Sequence, residues 1–159
     1  HESLRDPYGI SFWPSFKGRD GCRTPMPWSK SPDAGFSQGE PWLPVPEHHL
    51  ARSVAAQEAD PSSTLHRVRD FLHWRASQPA LQHGSIRFLD AGEPVLAFVR
   101  QTQEQALLAV FNLSAQPLEW DLPDDLAPRT CIVPKLVKGE LARNRLHLPP
   151  RGAFYAELG

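Results

Sequence analysis

Residues 18–28 read Gly-Arg-Asp-Gly-Cys-Arg-Thr-Pro-Met-Pro-Trp, and neither a helical nor a strand period runs through them. Two arginines, an aspartate, two prolines and a tryptophan therefore share one short, irregular stretch. Pro25 and Pro27 lack a backbone N–H, and each biases the residue before it toward an extended conformation. The stretch predicts a stiff loop that carries fixed polar groups, and such loops commonly build binding and catalytic sites.

The segment around this loop, residues 1–50, is punctuated by proline and glycine and shows little periodicity. It is nevertheless rich in aromatic side chains, which are depleted in disordered segments: Phe12, Trp13, Phe16, Trp28, Phe36 and Trp42. We expect the segment to pack against a partner region outside this chain. The start at His1, without methionine and without a basic or apolar leader, also leads us to expect a fragment or a processed product.

The composition restricts the class of protein. The chain has 159 residues, of which 40% are hydrophobic and 22% charged, and its formal net charge is −1. These values are typical of globular domains and give no electrostatic reason to expect nucleic acid or an anionic membrane as a partner. No apolar run approaches the roughly 20 residues that a membrane-spanning helix needs.

The cysteine and histidine positions do not match a metal site. Cys22 and Cys131 form no CxxC pair, so we expect two free thiols in a reducing compartment such as the bacterial cytoplasm. His48 and His49 are adjacent, which prevents their side chains from converging, and the remaining histidines lack the i,i+4 spacing of a helical metal pair. We expect no metal and no organic cofactor.

Residues 60–78 have the clearest helical pattern. Asp60 is a good N-cap and Pro61 suits the first helical position. One apolar stripe is expected to face the core: Leu65, Val68, Leu72 and Ala76, widened by Phe71. Pro79 ends the helix.

From residue 84 onward, short apolar runs alternate with turn residues, which predicts an antiparallel β-sandwich. The predicted strands are Ile86–Leu89, Pro94–Val99, Ala106–Leu113, Leu118–Leu122, Thr130–Val133, Leu146–Leu148 and Ala153–Leu158. Asp90-Ala91-Gly92 and Lys138-Gly139 are predicted hairpin turns. We expect Phe88, Phe98, Phe111 and Phe154 to face the core. A domain boundary follows near residues 79–84.

The order of motifs resembles the C-terminal third of exo-α-glucosidases and oligo-1,6-glucosidases of glycoside hydrolase family 13. The matching series is Arg5-Asp6-Pro7-Tyr8-Gly9-Ile10, residues 18–28, Ala34-Gly35-Phe36, Glu40-Pro41-Trp42, Val54-Ala55-Ala56-Gln57, Leu72-His73-Trp74-Arg75 and Gln78-Pro79-Ala80-Leu81. The resemblance implies that residues 1–79 are the end of a (β/α)8 barrel, with the loop after strand eight at 1–59 and helix eight at 60–78. Residues 80–159 would then be an antiparallel C-terminal β-sandwich.

The resemblance also implies retaining glycoside hydrolysis, in which one carboxylate attacks the anomeric carbon and a second protonates the leaving oxygen. In the family, these carboxylates come from earlier barrel strands, so no catalytic residue is expected in this chain and the chain alone should be inactive. The upstream barrel segment and a small α-glucoside are the expected partners. Hydrolysis and glucosyl transfer both remain open, as does the preference between α-1,4 and α-1,6 bonds.

One substrate-binding residue maps onto the chain. The arginine of the Arg-Thr-Pro motif, here Arg23, is implied to pair with an aspartate from an early barrel loop and to hold the non-reducing 4-hydroxyl of glucose. Arg19 and Asp20 could orient Arg23 or line the entrance, but an ion pair that simply fixes the loop is the more ordinary role for them. Phe12, Trp13 and Phe16 could flank the aglycone side of the site.

Less specific features have plainer interpretations. Trp28 and Trp42 could stack on sugar, but an aromatic ring in a buried loop more often packs against protein. Asn112-Leu113-Ser114 matches a glycosylation acceptor, which we interpret as a chance match. The competing function is a stand-alone carbohydrate-binding β-sandwich, for which Trp120 and Tyr155 would have to form an exposed platform. A structural fragment held to a larger chain is a third possibility and is compatible with the glucosidase.

Overall fold

The computed structural model describes residues 2–126, 128–131 and 138–159, of which 128–131 are described as backbone. The chain divides into two units, His1–His66 and Arg67–Gly159. The helices are α1 (Pro7–Ser11), α2 (Glu47–Leu50), α3 (Val54–Glu58), α4 (Thr64–Ala76) and α5 (Pro79–His83). The strands are β1 (Ser85–Phe88), β2 (Val95–Gln101), β3 (Ala106–Asn112), β4 (Leu118–Asp121), β5 (Pro128–Cys131), β6 (Glu140–Ala142), β7 (Arg145–Leu148) and β8 (Ala153–Leu158).

Short helices and turns make up the first unit, and no strand occurs among its described residues. Asp6 is the N-cap of α1, where its side chain accepts a hydrogen bond from Tyr8, and Pro7 occupies the first turn. Ser53 caps α3 in the same way through the N–H of Ala56. The sequence of this unit lacks a periodic apolar pattern, and side-chain caps define where its short helices α1 and α3 begin.

The helix α4 begins at Thr64, so the predicted start at Pro61 is wrong. The Asp60 carboxylate accepts hydrogen bonds from the N–H and the hydroxyl of Ser62, which closes a turn before the helix. The first helical turn is capped instead by Ser63, whose hydroxyl accepts from the His66 N–H at 3.4 Å. Asp60-Pro61 therefore forms a turn that precedes α4 and does not mark the first residues of the helix.

The face of α4 that packs on the core is only partly the predicted one, because Phe71 packs there as predicted whereas Val68 and Leu72 do not. Phe71 and Trp74 pack against the core of the second unit, whereas Val68 and Leu72 are 49% and 54% exposed. The period was read correctly, but the helix carries apolar side chains on more than one face, and the aromatic face is the one that the sheet covers.

Two antiparallel sheets form the second unit, which confirms the expectation of antiparallel β-structure. The larger sheet has the strand order β1-β2-β3-β8-β5 and the smaller has the order β4-β7-β6. Their main core lies around β3 and β8 and includes these buried side chains: Val99, Leu108, Val110, Leu122, Leu146, Leu148 and Phe154. Leu107 belongs to a second cluster with Ala80 and Leu81 of α5, so β3 is covered on both faces.

The hairpin predicted at Lys138-Gly139 cannot be traced within the described residues, because the segment that would form its first strand lies outside them. The tight turn lies at Arg143-Asn144, between β6 and β7, and β6 itself was not predicted. Gly139 allows its backbone to lie close to Leu148 and Phe154, because a Cβ there would lie 2.8 Å from Leu148 Cδ2 and 2.9 Å from Phe154 Cβ. The part of the predicted strand Thr130–Val133 that follows Cys131 lies outside the described residues.

One aromatic prediction in this unit is wrong, and the aromatic platform that the competing function requires is not exposed. Phe88 is 64% exposed rather than facing the core. Tyr155 is buried and Trp120 packs partly against the core, so neither offers the exposed platform that a stand-alone sugar-binding module would need. No described helix is both long and apolar enough to cross a membrane.

Candidate functional site

Two aspartates join the start of the chain to the loop at residues 18–28. The Oδ2 atom of Asp20 accepts hydrogen bonds from the backbone N–H of Arg5 at 2.6 Å and of Asp6 at 2.9 Å. In return, Oδ2 of Asp6 accepts from the Arg19 N–H at 2.9 Å, and Oδ1 of Asp6 accepts from Tyr8 at 3.0 Å. Both carboxylates are buried. We call this reciprocal arrangement of Asp6 and Asp20 the aspartate clasp.

Two glycines allow the segments in the clasp to approach each other closely. Gly18 has a φ of 72°, and a Cβ there would lie 3.0 Å from Asp6 Cβ and 3.0 Å from Gly9 Cα. A Cβ on Gly9 would lie 2.8 Å from the carbonyl oxygen of Lys17. Any larger side chain at either position would push the two segments apart.

The clasp leaves Asp6 in its ionised form. The hydrogen bond from the Arg19 N–H lowers the pKa of the Asp6 carboxyl from its ordinary value, while burial acts in the opposite direction. The Tyr8 N–H and the charges of Arg19 and Arg23 add to the lowering. A carboxyl held in this way is poorly suited to act as a general acid, which needs a raised pKa.

Arg23 follows directly after a single 3-10 turn, Asp20–Cys22. Its backbone N–H donates to the Asp20 carbonyl oxygen at 2.9 Å, so the turn fixes where its side chain leaves the backbone. The side chain is exposed, and no described hydrogen bond or ion pair engages its guanidinium. Arg23 is therefore a positioned cation that is available to a carboxylate or a sugar hydroxyl.

Arg19 and Asp20 do not pair with each other. The guanidinium of Arg19 lies 3.6 Å from Asp6 Oδ2, while Asp20 binds backbone N–H groups. Both residues hold the loop, but through partners outside it rather than through a mutual ion pair. Cys22 is a free, exposed thiol that donates to the Arg19 carbonyl oxygen, and the side chain of Cys131 lies outside the described residues.

Three of the predicted aromatic residues lie at two separate places. Phe12 is the C-cap of α1 and stacks on Tyr8 with ring centroids 6.2 Å apart, and Trp13 follows it. Trp28 lies in another turn, where its N–H donates to the Ala34 carbonyl oxygen at 2.7 Å. All three of these rings are exposed. Backbone hydrogen bonds within the loop bring Arg19, Asp20 and Arg23 together, from the Cys22 N–H to Arg19 and from the Arg23 N–H to Asp20.

Sequence reasoning missed Asp6, although a usable signal was present. An aspartate followed directly by proline is a typical helix N-cap, and Asp6-Pro7 occupies that position in α1. Its contact with the loop could not be read from spacing. Among the described residues, no group of three or more histidine, cysteine, aspartate or glutamate side chains is arranged to hold a metal ion.

Comparison with protein families defines the class. Residues 2–84 match the model of the alpha-amylase catalytic domain, and residues 86–154 match that of the maltogenic amylase C-terminal domain. The chain belongs to the alpha-amylase family, glycoside hydrolase family 13, and carries the end of the catalytic domain followed by a C-terminal domain.

Several individual proteins of known name are similar to this chain. A probable alpha-glucosidase of Rhizobium meliloti is 44% identical over 99% of this chain, and a glucan 1,6-alpha-glucosidase of Streptococcus pneumoniae is 31% identical over 89% of it. Among solved structures, the alpha-glucosyl transfer enzyme XgtA is 48% identical, with a TM-score of 0.88 over 99% of this chain. The trehalulose synthase MutB of Pseudomonas mesoacidophila is 25% identical, with a TM-score of 0.80 over 99%.

The chain is much shorter than these proteins. It spans 28% and 26% of the two sequence relatives, and 29% and 32% of the two structures. Each of those proteins is more than three times as long as this chain, and its activity is that of the whole polypeptide.

Proposed function

We propose that this chain is the C-terminal part of a retaining α-glucosidase or α-glucosyl transfer enzyme that acts on short α-glucosides. Residues 1–59 would be the loop after the eighth barrel strand, and the following helix, α4, would be the eighth barrel helix. The names of the relatives support the activity class. The observation that carries the proposal is the exposed guanidinium of Arg23, which lies on a fixed turn and makes no described hydrogen bond or ion pair.

The catalytic carboxylates would come from the part of the protein that precedes this chain. Retaining hydrolysis needs two carboxyl groups about 5 Å apart, one ionised and one protonated. The two buried aspartates of the first unit do not meet this need, because Asp6 and Asp20 accept hydrogen bonds from backbone N–H groups. We therefore assign no catalytic residue to this chain.

Arg23 would recognise the end of the sugar. A guanidinium keeps its charge when it is desolvated, and its planar set of donors can bind a carboxylate on one side and sugar hydroxyls on the other. We propose that Arg23 pairs with an aspartate of the preceding barrel and holds the non-reducing 4-hydroxyl of glucose. Such a contact would close the pocket beyond the terminal sugar and favour exo-acting cleavage.

The test is Arg23→Ala in the complete enzyme, assayed with p-nitrophenyl α-glucoside. Removing one partner of a buried charged pair costs about 3–5 kcal/mol. Because about 1.4 kcal/mol corresponds to a tenfold change, kcat/KM should fall by a factor of about 10² or more. Arg52→Ala is the matched control, because Arg52 is also an exposed arginine of the first unit. Near-normal turnover by Arg23→Ala would rule out the assignment.

The products of the reaction distinguish glucosyl transfer from hydrolysis. The likeness to XgtA, an alpha-glucosyl transfer enzyme, favours transfer as a second activity of the same site. Incubation of the complete enzyme with maltose should then yield glucosylated products in addition to free glucose. If glucose alone accumulates at high maltose concentration, the enzyme is a hydrolase only.

A further inference from the structure

The aspartate clasp links residues that are far apart in sequence, on either side of an irregular stretch. Asp6 caps α1, a helix of only five residues, which is too short to be stable in isolation. Residues 12–19 between the two aspartates contain no described helix or strand. The position of the loop relative to α1 therefore depends on the hydrogen bonds that Asp6 and Asp20 accept from each other's segments.

The clasp is connected directly to Arg23. Asp20 is the first residue of the 3-10 turn, and its carbonyl oxygen accepts the hydrogen bond from the Arg23 N–H. A rotation of Asp20 away from the N–H groups of Arg5 and Asp6 would also rotate the turn. The direction in which the Arg23 side chain leaves the backbone would then change.

We propose that Asp6 and Asp20 are positioning residues that hold Arg23 at the place where it meets the terminal sugar. This inference rests on the proposed function of Arg23. It assigns the two carboxylates a role in substrate recognition through Arg23, without direct contact with the sugar.

The two aspartates use their oxygens differently, and this difference gives a sharp test. Asp20 makes both clasp bonds with Oδ2, and its buried Oδ1 has no described partner. Asp6 uses both oxygens, each as an acceptor from a backbone N–H. Asparagine at position 20 can thus keep an oxygen at the Oδ2 position, whereas asparagine at position 6 must direct its NH2 group toward one of the two N–H groups.

The experiment compares Asp6→Asn, Asp20→Asn and Asp20→Ala with Arg23→Ala in the complete enzyme. Each variant is assayed with p-nitrophenyl α-glucoside and with its 4-deoxy analogue. The ratio of the two kcat/KM values reports recognition of the 4-hydroxyl and does not depend on the fraction of enzyme that is folded. Asp33→Asn is the matched control, because Asp33 also accepts hydrogen bonds within a turn of the first unit but lies outside the clasp.

Asp6→Asn and Asp20→Ala should each raise KM by about tenfold and reduce the preference for the 4-hydroxyl substrate by a similar factor. Asp20→Asn should change both values by less than about threefold, since both clasp bonds retain an acceptor. Asp33→Asn should leave the ratio unchanged. The double variant Asp20→Ala/Arg23→Ala should be no less selective than Arg23→Ala alone, because both changes would remove the same contact.

The outcomes separate the two proposals. If Arg23→Ala keeps the preference for the 4-hydroxyl, the proposed function of Arg23 fails. If Arg23→Ala loses the preference while Asp6→Asn and Asp20→Ala keep it, the positioning role fails and the role of Arg23 stands. Equal losses in Asp20→Asn and Asp20→Ala would also contradict the clasp, since they would mean that the charge of Asp20, rather than its backbone bonds, is required.

Discussion

Asn112 is a buried residue at the end of β3, and its side chain joins three parts of the second unit. Its Nδ2 group donates to the carbonyl oxygens of Gln116 at 2.6 Å and Pro149 at 3.0 Å. Its Oδ1 accepts from the N–H and the hydroxyl of Ser114, each at 2.8 Å. The amide that would carry a glycan is thus fully engaged inside the protein, which gives a physical reason for interpreting the acceptor motif as a chance match.

Asn112→Asp should destabilise the second unit. The carboxylate would face two carbonyl oxygens in place of the NH2 group that now donates to them, and an unsatisfied buried polar group costs about 1–3 kcal/mol, more when it is charged. Asn144→Asp is the control, because the Asn144 amide makes one such bond, to Leu122. Urea unfolding should show the larger loss for Asn112→Asp. Equal losses would show that Asn112 does not join these segments.

At the scale of elements, a row of aromatic rings connects α4 to the larger sheet. Tyr155 of β8 lies with its ring centroid 5.0 Å from that of Trp74 and 6.1 Å from that of Phe71. Tyr155 also lies with its ring centroid 5.7 Å from that of Phe111, and Phe111 stacks on Phe98 with centroids 5.8 Å apart. These contacts, rather than the predicted stripe of Val68 and Leu72, attach the helix to the sheet.

Burial beneath these rings raises the pKa of Tyr155 to about 12 from an ordinary value of 10.0. Because the folded pKa lies above the unfolded one, the contribution to stability is complete below pH 10 and is lost as the pH rises toward 12. The unfolded chain releases its phenolic proton first, so alkali favours unfolding. The free energy of unfolding should therefore fall within this window.

The titration can be isolated because the chain has only two tyrosines, Tyr8 and Tyr155. In Tyr8→Phe, the tyrosinate absorbance of the 159-residue chain should appear near pH 12, and Trp74→Ala should shift it toward 10 by opening the site to water. Ser85→Ala, an exposed change on β1, should leave it in place. An unshifted titration in Trp74→Ala would contradict the packing of α4 on Tyr155.

The sequence predicts those elements that carry a residue pattern of their own. β3 and β8 are apolar except for Asn112 and Glu157 and lie between turn residues, which is the pattern that a covered strand requires. Both strands could therefore be predicted from the sequence. β6 has only three residues and begins with a glutamate, so no pattern could form. The role of Arg23 is predicted from its motif and stays a prediction. The contact between Asp6 and Asp20 depends on the path of an aperiodic segment and has no signal in the spacing of residues.

At the scale of the whole chain, the two units differ in what stabilises them. The second unit buries one continuous core between two sheets, with Leu108, Val110 and Phe154 fully covered. The first unit has short helices, a clasp and few buried apolar side chains, and it exposes a series of large ones: Tyr8, Ile10, Phe12, Trp13, Phe16, Met26, Trp28, Phe36 and Trp42. This exposure is what we expect of a unit that packs against the preceding barrel in the complete protein.

Limited proteolysis of the 159-residue chain should therefore cut the first unit well before the second. Local opening is easiest where few apolar contacts are buried, and proteases act on the open form. Mass spectrometry should show early cuts within residues 12–46 and a resistant product that contains β1 to β8. In the complete enzyme, where the preceding barrel would cover the first unit, the same early sites should become resistant. Early cuts at those sites in both proteins would contradict the proposal that the preceding barrel packs on this loop, and cuts distributed equally over both units would contradict the difference in stability.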